Sequence, residues 1–241
     1  PKRITMYACG PTVYGPGHIG NGRSAIVFDC LNRVLRTKYD NLVYARNITD
    51  IDDKIINVSK DEKVESSVIA KRYTDQYHTD FEKLSILPPN IEPFATNHIS
   101  QMIEFIENLL EKGNAYLSES HILFNVSKFS DYGKLSGRKI EDMVPGSRVE
   151  VASYKKNPSD FVLWKPSNEN EVGWKSPWGK GRPGWHLECS AMIKEHLGDT
   201  IDIHGGGEDL TFPHHENEIA QSVCCNDNKP LANFWVHNGL L

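Results

Sequence analysis

The sequence has no excess of positive charge, no long apolar run and no regular cysteine framework, and each lack removes a class of function. Its 27 lysines and arginines stand against 32 aspartates and glutamates, a net charge of −5. A protein that coats nucleic acid needs a basic face, so only a smaller, local contact with nucleic acid stays open. No stretch reaches the roughly 20 apolar residues that span a bilayer. No signal-peptide pattern opens the chain, and no membrane is expected as a partner. The five cysteines, at 9, 30, 189, 224 and 225, are an odd number with no repeating spacing. They fit thiols or metal ligands in a reducing compartment, the cytoplasm, better than disulfides. Internal repeats and low-complexity tracts are missing too. With 241 residues, 39% hydrophobic and 24% charged, the chain can build one large core or one core with an insertion.

What is present is an alternation of strands and helices. "RITMYAC" (3–9) reads as a strand that feeds a stiff Gly/Pro turn. From His18 to Tyr39, Ile19, Ile26, Leu31, Val34 and Leu35 fall at helical spacing and predict an amphipathic helix. "NLVYARN" (41–47) is a second strand. "ITDIDDKIINVSK" then turns into a helix with Asp50, Asp52 and Asp53 near its positive end. Strand, turn, helix, strand, helix begins a Rossmann-like, doubly wound parallel sheet of the α/β class. Further helical patterns cover 65–84 and 95–112. From Ala115 to Pro183 the character changes to short strand-like pieces ("HILFNV", "DFVLWK") and the Trp-rich loop "GWKSPWGKGRPGW". This stretch reads as an inserted α+β subdomain. The α/β rhythm returns with a helix over 185–197, a strand over 200–204 and a glycine turn "GGGEDLTFP". A helix over 214–225 and a strand over 234–237 follow. The expected organisation is an α/β domain in two halves, 1–114 and 184–241, split by an insert over 115–183. Pro1 lies close to a strand and "FWVHNGLL" reads as a strand end, so the native chain is expected to continue.

Three constellations can carry chemistry. Pro213 suits the first turn of a helix, which would put His214 and Glu218 four apart on one face. Such a pair can chelate a metal or be a plain surface pair. Cys189 lies on the preceding helix and Cys9 ends the first strand. In a parallel sheet, strand C-termini and helix N-termini gather along one edge, where crevices form. That edge could assemble Cys9, Cys189, His214 and Glu218 as a Cys₂HisGlu zinc site. Either cysteine alone reads better as a buried inert thiol; the four together on one edge shift the balance to a metal. "HIGN" (18–21) places a histidine at a helix N-terminus, where free N–H groups and the dipole favour phosphate, or where it is simply a polar cap. "HGGGED" (204–209) allows close approach of a base and ribose, with Asp209 available to a hydroxyl; its alternative is a tight loop with no ligand.

With these residues in view, the sequence resembles the cysteinyl-tRNA synthetases, of the first synthetase class. The blocks that carry the resemblance are "MYACGPTVY", "HIGN", "RNITDIDDKI", "NPSDFVLWK", "GRPGWHLECSAM" and "DIHGGGEDLTFPHHENEIAQS". The resemblance implies a HUP-type nucleotide-binding fold interrupted by a connective subdomain. It implies that "HIGN" is the family's HIGH signature. ATP, with Mg²⁺, would then be held by Thr12, Gly17, His18, Gly20, Asn21, Gly206 and Asp209, and His18 and Asn21 would act in catalysis. Gly10, Thr49 and Trp185 would lie beside the substrate L-cysteine. One Zn²⁺ would sit on Cys9, Cys189, His214 and Glu218 and take the substrate sulfur. Cys30, Cys224 and Cys225, within helical patterns, are expected only to pack. The acceptor end of tRNA(Cys) would be the partner in transfer. The family's second ATP signature, the KMSKS loop, and its helical and anticodon-binding domains are expected beyond Leu241. Two rivals share part of this pattern. One is a ligase that joins activated cysteine to an amino-sugar inositol, disfavoured by the Lys-, Asn- and Ile-rich composition. The other is a non-catalytic zinc-binding module.

Overall fold

The computed structural model describes residues 3–138 and 152–241. In chain order the elements are β1 (Ile4–Ala8), α1 (Ile19–Arg36), β2 (Leu42–Arg46), α2 (Asp53–Glu62), α3 (Ser66–Lys83) and α4 (Ile99–Glu111). Next come β3 (Ala115–Ser118), β4 (His121–Phe124), β5 (Phe161–Pro166), β6 (Gly181–Pro183) and α5 (Trp185–Leu197). The last are β7 (Ile201–Gly207), α6 (Glu216–Cys225) and β8 (Ala232–Asn238). Contacts divide the chain into two compact units. The first is Pro1–His98, Met192–Asp209 and Ala232–Leu241; the second is Ile99–Ala191 and Leu210–Leu231.

The first unit carries a four-stranded sheet in the order β2-β1-β7-β8. Every pairing is parallel, from Ile4↔Leu42 through Met6↔Ile203 to Gly207↔Asn238. The chain leaves β1 for β2 on one side and later returns to β7 on the other. That reversal puts a topological switch point between β1 and β7, the place where such sheets open a crevice. The doubly wound parallel sheet expected from the sequence is therefore present. Met6, Tyr7 and Ala8 are at most 1% exposed, as the central strand of a sheet covered on both faces should be. Ile48, Ile55, Ile69, Tyr77 and Phe81 build a core under α2 and α3.

Three local expectations are corrected in this unit. Helix α1 buries Gly22, Ala25, Phe28, Asp29 and Asn32 rather than the apolar positions of the expected stripe. Ile19, Ile26 and Val34 are exposed, while Leu31 and Leu35 pack at the edge of the core around Phe28 and Met6. Asp29 accepts from Arg33 Nε at 2.8 Å and from Leu87 N at 3.2 Å, and Asn32 Oδ1 accepts from Arg36 Nε at 2.9 Å, while Asn32 Nδ2 is buried without a partner. Each buried polar residue of this face thus has at least one partner. Second, the glycines at 205–207 continue strand β7 instead of forming a turn. A Cβ at Gly205 would lie 2.2 Å from the Phe28 ring, so glycine is what lets α1 sit this close to the sheet. Third, the expected helix over 95–112 is a short 3-10 turn, Ala95–His98, followed by α4. Asp50 accepts from the Thr96 N–H at 2.9 Å and so anchors this turn; the α2 cap is Asp52, which accepts from Lys54 N at 2.8 Å.

The second unit holds an antiparallel sheet in the order β3-β4-β5-β6, with α4, α6 and the first half of α5. Phe124 and Phe161 stack at 5.0 Å and Trp164 is 1% exposed. Buried Asp160 ties three segments together, accepting from Val126 N at 3.0 Å, Asn157 N at 3.1 Å and the Tyr116 hydroxyl at 2.7 Å. The helix expected from 214 is preceded by a kinked π turn, Thr211–His215, in which Phe212 is extended at φ −139° and ψ 132°, and becomes α-helical at Glu216.

Candidate functional site

At the switch point the backbone changes neighbours within two residues. Cys9 N donates to Gly205 O at 3.0 Å, on β7. Gly10 N donates instead to the Asn47 side-chain oxygen at 2.9 Å, beyond the end of β2. Residues 11–13 then zip onto Thr49: Thr49 N reaches Pro11 O at 3.0 Å and Val13 N reaches Thr49 O at 3.2 Å. Thr12 pairs with Thr49 in a parallel bridge, and Asn47 Nδ2 donates to Thr49 Oγ1 at 3.2 Å. Thr49 is 2% exposed. The chain therefore leaves β7 after Cys9 and joins the end of β2 through residues 10–13, which places Cys9, Gly10 and Thr12 at the switch point.

His18 is the N-cap of α1. Its Nδ1 accepts from Gly20 N at 3.2 Å, and its own N–H donates to Asn21 Oδ1 at 3.0 Å, a reciprocal capping box. Because Nδ1 accepts, the neutral ring carries its proton on Nε2. The cap uses Nδ1 of His18 and Oδ1 of Asn21, so the donors His18 Nε2–H and Asn21 Nδ2 remain for a ligand at the positive end of α1. The cap and phosphate readings of "HIGN" are thus compatible: one edge of each side chain builds the helix end, the other can serve an anion. Gly17 is exposed just ahead of the cap. Gly206 is buried in β7 beside His237 of β8. Asp209 is exposed in the turn that follows, its carboxylate folded against Gly207 so closely that a Cβ there would meet Oδ1 at 2.3 Å.

In the second unit, Cys189 of α5, His214 of the π turn and Glu218 of α6 each bring a ligand atom within 4.8 Å of the others. His214 Nε2 lies 2.9 Å from Glu218 Oε1 and 3.7 Å from Cys189 Sγ. All three are at most 1% exposed. Burial opposes charge on His214, but the Glu218 carboxylate and the Cys189 sulfur outweigh it and hold the ring at about 10. A thiol, an imidazole and a carboxylate enclosed together are the donors that zinc takes, and they fit a metal better than they fit packing. Cys9 belongs to the first unit, half-buried directly after β1.

The sequence reading missed His186. Its Nδ1 lies 2.9 Å from Nδ1 of His214. Burial, with His214 next, pushes His186 down to about 3, so it is a neutral acceptor. Nδ1–H of His214 can then donate to it while Nε2 faces Cys189 and Glu218, the arrangement that orients a ligating histidine. Gln221 in turn donates to the His186 carbonyl, and to Ser190 Oγ at 2.7 Å. The available signal was the i, i+3 spacing of His186 and Cys189 at the head of one helix. Trp185 is 39% exposed and stacks on His214 at 4.1 Å, giving that ring an apolar cover with a face left open. Glu216, a further buried acid on α6, accepts from Gly133 N at 2.6 Å and Ser136 N at 2.9 Å. Cys225 is buried and Cys224 half-buried, as packing thiols would be, but Cys30 is exposed on α1.

Comparison with solved structures gives the class. The fold is similar to Mycobacterium tuberculosis methionyl-tRNA synthetase in complex with methionyl-adenylate, with TM-score 0.75 and 14% identity over 99% of this chain and 57% of that one. It is also similar to a putative arginyl-tRNA synthetase from Campylobacter jejuni, with TM-score 0.58 and 13% identity over 100% of this chain and 55% of that one. At such low identity only the fold is shared, the Rossmann-like fold of the class I tRNA synthetases. Residues 1–241 match throughout the family described as "tRNA synthetases class I (C) catalytic domain", and the chain belongs to that family. It is 61% identical over 241 residues to the cysteine–tRNA ligase of Parvibaculum lavamentivorans, covering 100% of this chain and 52% of the relative. The corresponding enzyme of Maricaulis maris is 58% identical over 243 residues, with 100% and 53% covered. The chain thus spans about half the length of the curated relatives it matches.

Proposed function

We propose that the chain is the catalytic part of a cytoplasmic cysteine–tRNA ligase, which activates L-cysteine with ATP and charges the 3′ end of tRNA(Cys). The whole-length match to the cysteine-specific family carries this reading, and the buried Cys189–His214–Glu218 trio supports it. A carboxylate oxygen of cysteine attacks the α-phosphorus of ATP. An O–P bond forms, the bond from the α-phosphorus to the bridging oxygen breaks, and pyrophosphate leaves; Mg²⁺, when bound, would offset phosphate charge. The oxygen of a terminal tRNA ribose hydroxyl then bonds to the carbonyl carbon, the bond from that carbon to the AMP phosphate oxygen breaks, and AMP departs with the hydroxyl proton passing to its phosphate or to water. His18 Nε2–H and Asn21 Nδ2 donate to the phosphates as their charge shifts, an electrostatic role. Thr12, Gly17, Gly20, Gly206 and Asp209 shape the ATP crevice, while Gly10, Thr49 and Trp185 border the amino acid. Positioning the two reactants supplies much of the remaining rate.

Cys189, His214 and Glu218 would hold one zinc, with Cys9 as the fourth ligand. When bound, that metal supplies a site where a thiol is deprotonated outright and a hydroxyl is not. His186 fixes the His214 ring and Trp185 excludes water from one of its faces. Residues 1–114 and 184–241 are the two halves of the nucleotide-binding domain, and 115–183 the connective insert. Among the described residues no helix is long and apolar enough to cross a membrane.

Cysteine-dependent exchange of pyrophosphate into ATP by the full-length protein, followed by charging of tRNA(Cys), tests the proposal. Exchange without tRNA charging would move the acceptor to another molecule, such as an amino sugar. Absence of exchange would leave a binding module. Metal analysis should give about one zinc per chain.

A further inference from the structure

The first unit contains a second cavity whose residues the chemistry above does not use. It measures about 660 Å³ and is lined mainly by Phe81, Ile86, Leu87, Pro88, Glu92 and Arg46. Its size and apolar walls are those of a small-molecule site. Arg46, the last residue of β2, is 5% exposed, and its Nε and Nη1 have no hydrogen-bond partner. The guanidinium lies against the Tyr77 and Phe81 rings at 5.5 and 5.4 Å, which offsets part of its desolvation but satisfies no N–H. The acids nearby are engaged: Glu92 holds His78 Nε2 at 2.7 Å, and Asp29 holds Arg33 Nε at 2.8 Å. An arginine stays charged in any protein, so this one is a buried cation with unused donors facing an apolar space.

We propose that this cavity binds a small carboxylate with a flat apolar body. Arg46 holds the carboxylate, and Phe81, Ile86, Leu87 and Pro88 enclose the body. Arg33 and His78 also line the cavity but are engaged by Asp29 and Glu92, so Arg46 is the cation left to an anion, and Glu82 and Glu92 would repel a second negative charge. The class is therefore a monoanion, not a phosphate ester.

The test is calorimetric titration of the 241-residue chain with 2-naphthoate, and with its neutral isostere 2-naphthamide. Naphthoate should bind saturably, and the amide at least about tenfold more weakly, the weight of a hydrogen bond to a charged group. Arg46→Lys should weaken naphthoate by a similar factor. Leu87→Trp, which fills the cavity from its rim and leaves Arg46 in place, should abolish binding without lowering the melting temperature. Equal affinity for acid and amide, unchanged binding in Leu87→Trp, or no binding up to about 10 mM would overturn the proposal. Binding to this chain but not to the full-length protein would overturn it too, by showing that the occupant is a segment of the protein itself.

Discussion

Replacing Gly10 by alanine should disable the site by a route visible in the backbone. A Cβ there would lie 1.6 Å from the carbonyl oxygen of Asn47 and 2.8 Å from its carbonyl carbon. The obstacle is main chain, so no side chain can swing aside. The strip 10–13 would have to part from 47–49, breaking Gly10 N–Asn47 Oδ1 at 2.9 Å, Thr49 N–Pro11 O at 3.0 Å and Val13 N–Thr49 O at 3.2 Å. Three hydrogen bonds at about 1 kcal/mol each come to about 3 kcal/mol. If the strip holds instead, overpacking costs about 1–3 kcal/mol. At about 2–4 °C per kcal/mol for a chain of this size, the melting temperature should fall by about 6–12 °C if the strip parts and by about 2–12 °C if it holds. Gly17→Ala is the control, since nothing lies within 4 Å of a Cβ at that position and its stability should change by less than about 0.5 kcal/mol. Parallel thermal melts of the two variants decide it. In the full-length protein, Gly10→Ala should also lose cysteine-dependent exchange, because Cys9 and Thr49 move with the strip. If the two variants melt together, the close approach at Gly10 is not what shapes this edge.

Cys189→Ala should remove bound zinc while Cys30→Ala keeps it, read by metal analysis of the purified proteins; metal that survives Cys189→Ala would refute the ligand set. His186→Ala should lower metal affinity by about 10–100-fold in a chelator competition, since it takes away the partner of His214 Nδ1. The full-length protein should prefer cysteine to serine in exchange by about 10⁴ or more, because a site built for a thiolate is left unpaired by a hydroxyl. Comparable serine activation would end that account. His196 is held below its usual 6.5 first by burial and then by His98, whose Nε2 is 2.7 Å from its own, with Glu195 pulling the other way. The unfolded chain therefore binds this proton more readily. The contribution to stability is full above 6.5 and is lost as pH falls from 6.5 toward the folded value. Urea midpoints measured across that window should slope less steeply in His196→Gln, and an unchanged slope would remove His196 from the acid response.

Much of the first unit could be read in advance, because its parallel sheet advertises itself through apolar strands punctuated by helix starts. β1, β2, α3 and α5 fall within about two residues of their expected bounds, the usual uncertainty of helix ends. The face of α1 could not be read. Periodicity sees Ile19, Ile26 and Val34 as a stripe, but it cannot see that Asp29 and Asn32 have arginine partners one turn away, which offset part of the cost of burying them. The run Gly205–Gly207 misled for a related reason. Glycine usually punctuates, yet here the missing side chains let Phe28 touch a strand, a tertiary demand with no local signature.

The site divides along the same line. His214 and Glu218 are legible because a helix fixes their spacing, and Cys189 because it shares a block with them. His186 was not, since its part is to accept a hydrogen bond from another histidine, and that part is defined only by the 2.9 Å between two Nδ1 atoms. Residue type names a ligand; only geometry names what orients it. The same holds for Arg46, which in the sequence is one more cation in a strand and in the structure is a buried charge with two unused donors. A charged side chain with no partner is meaningful only once burial is known, because the same residue in water would need none. Such positions lie outside every motif, so a reading by motif passes over them however long the motifs are.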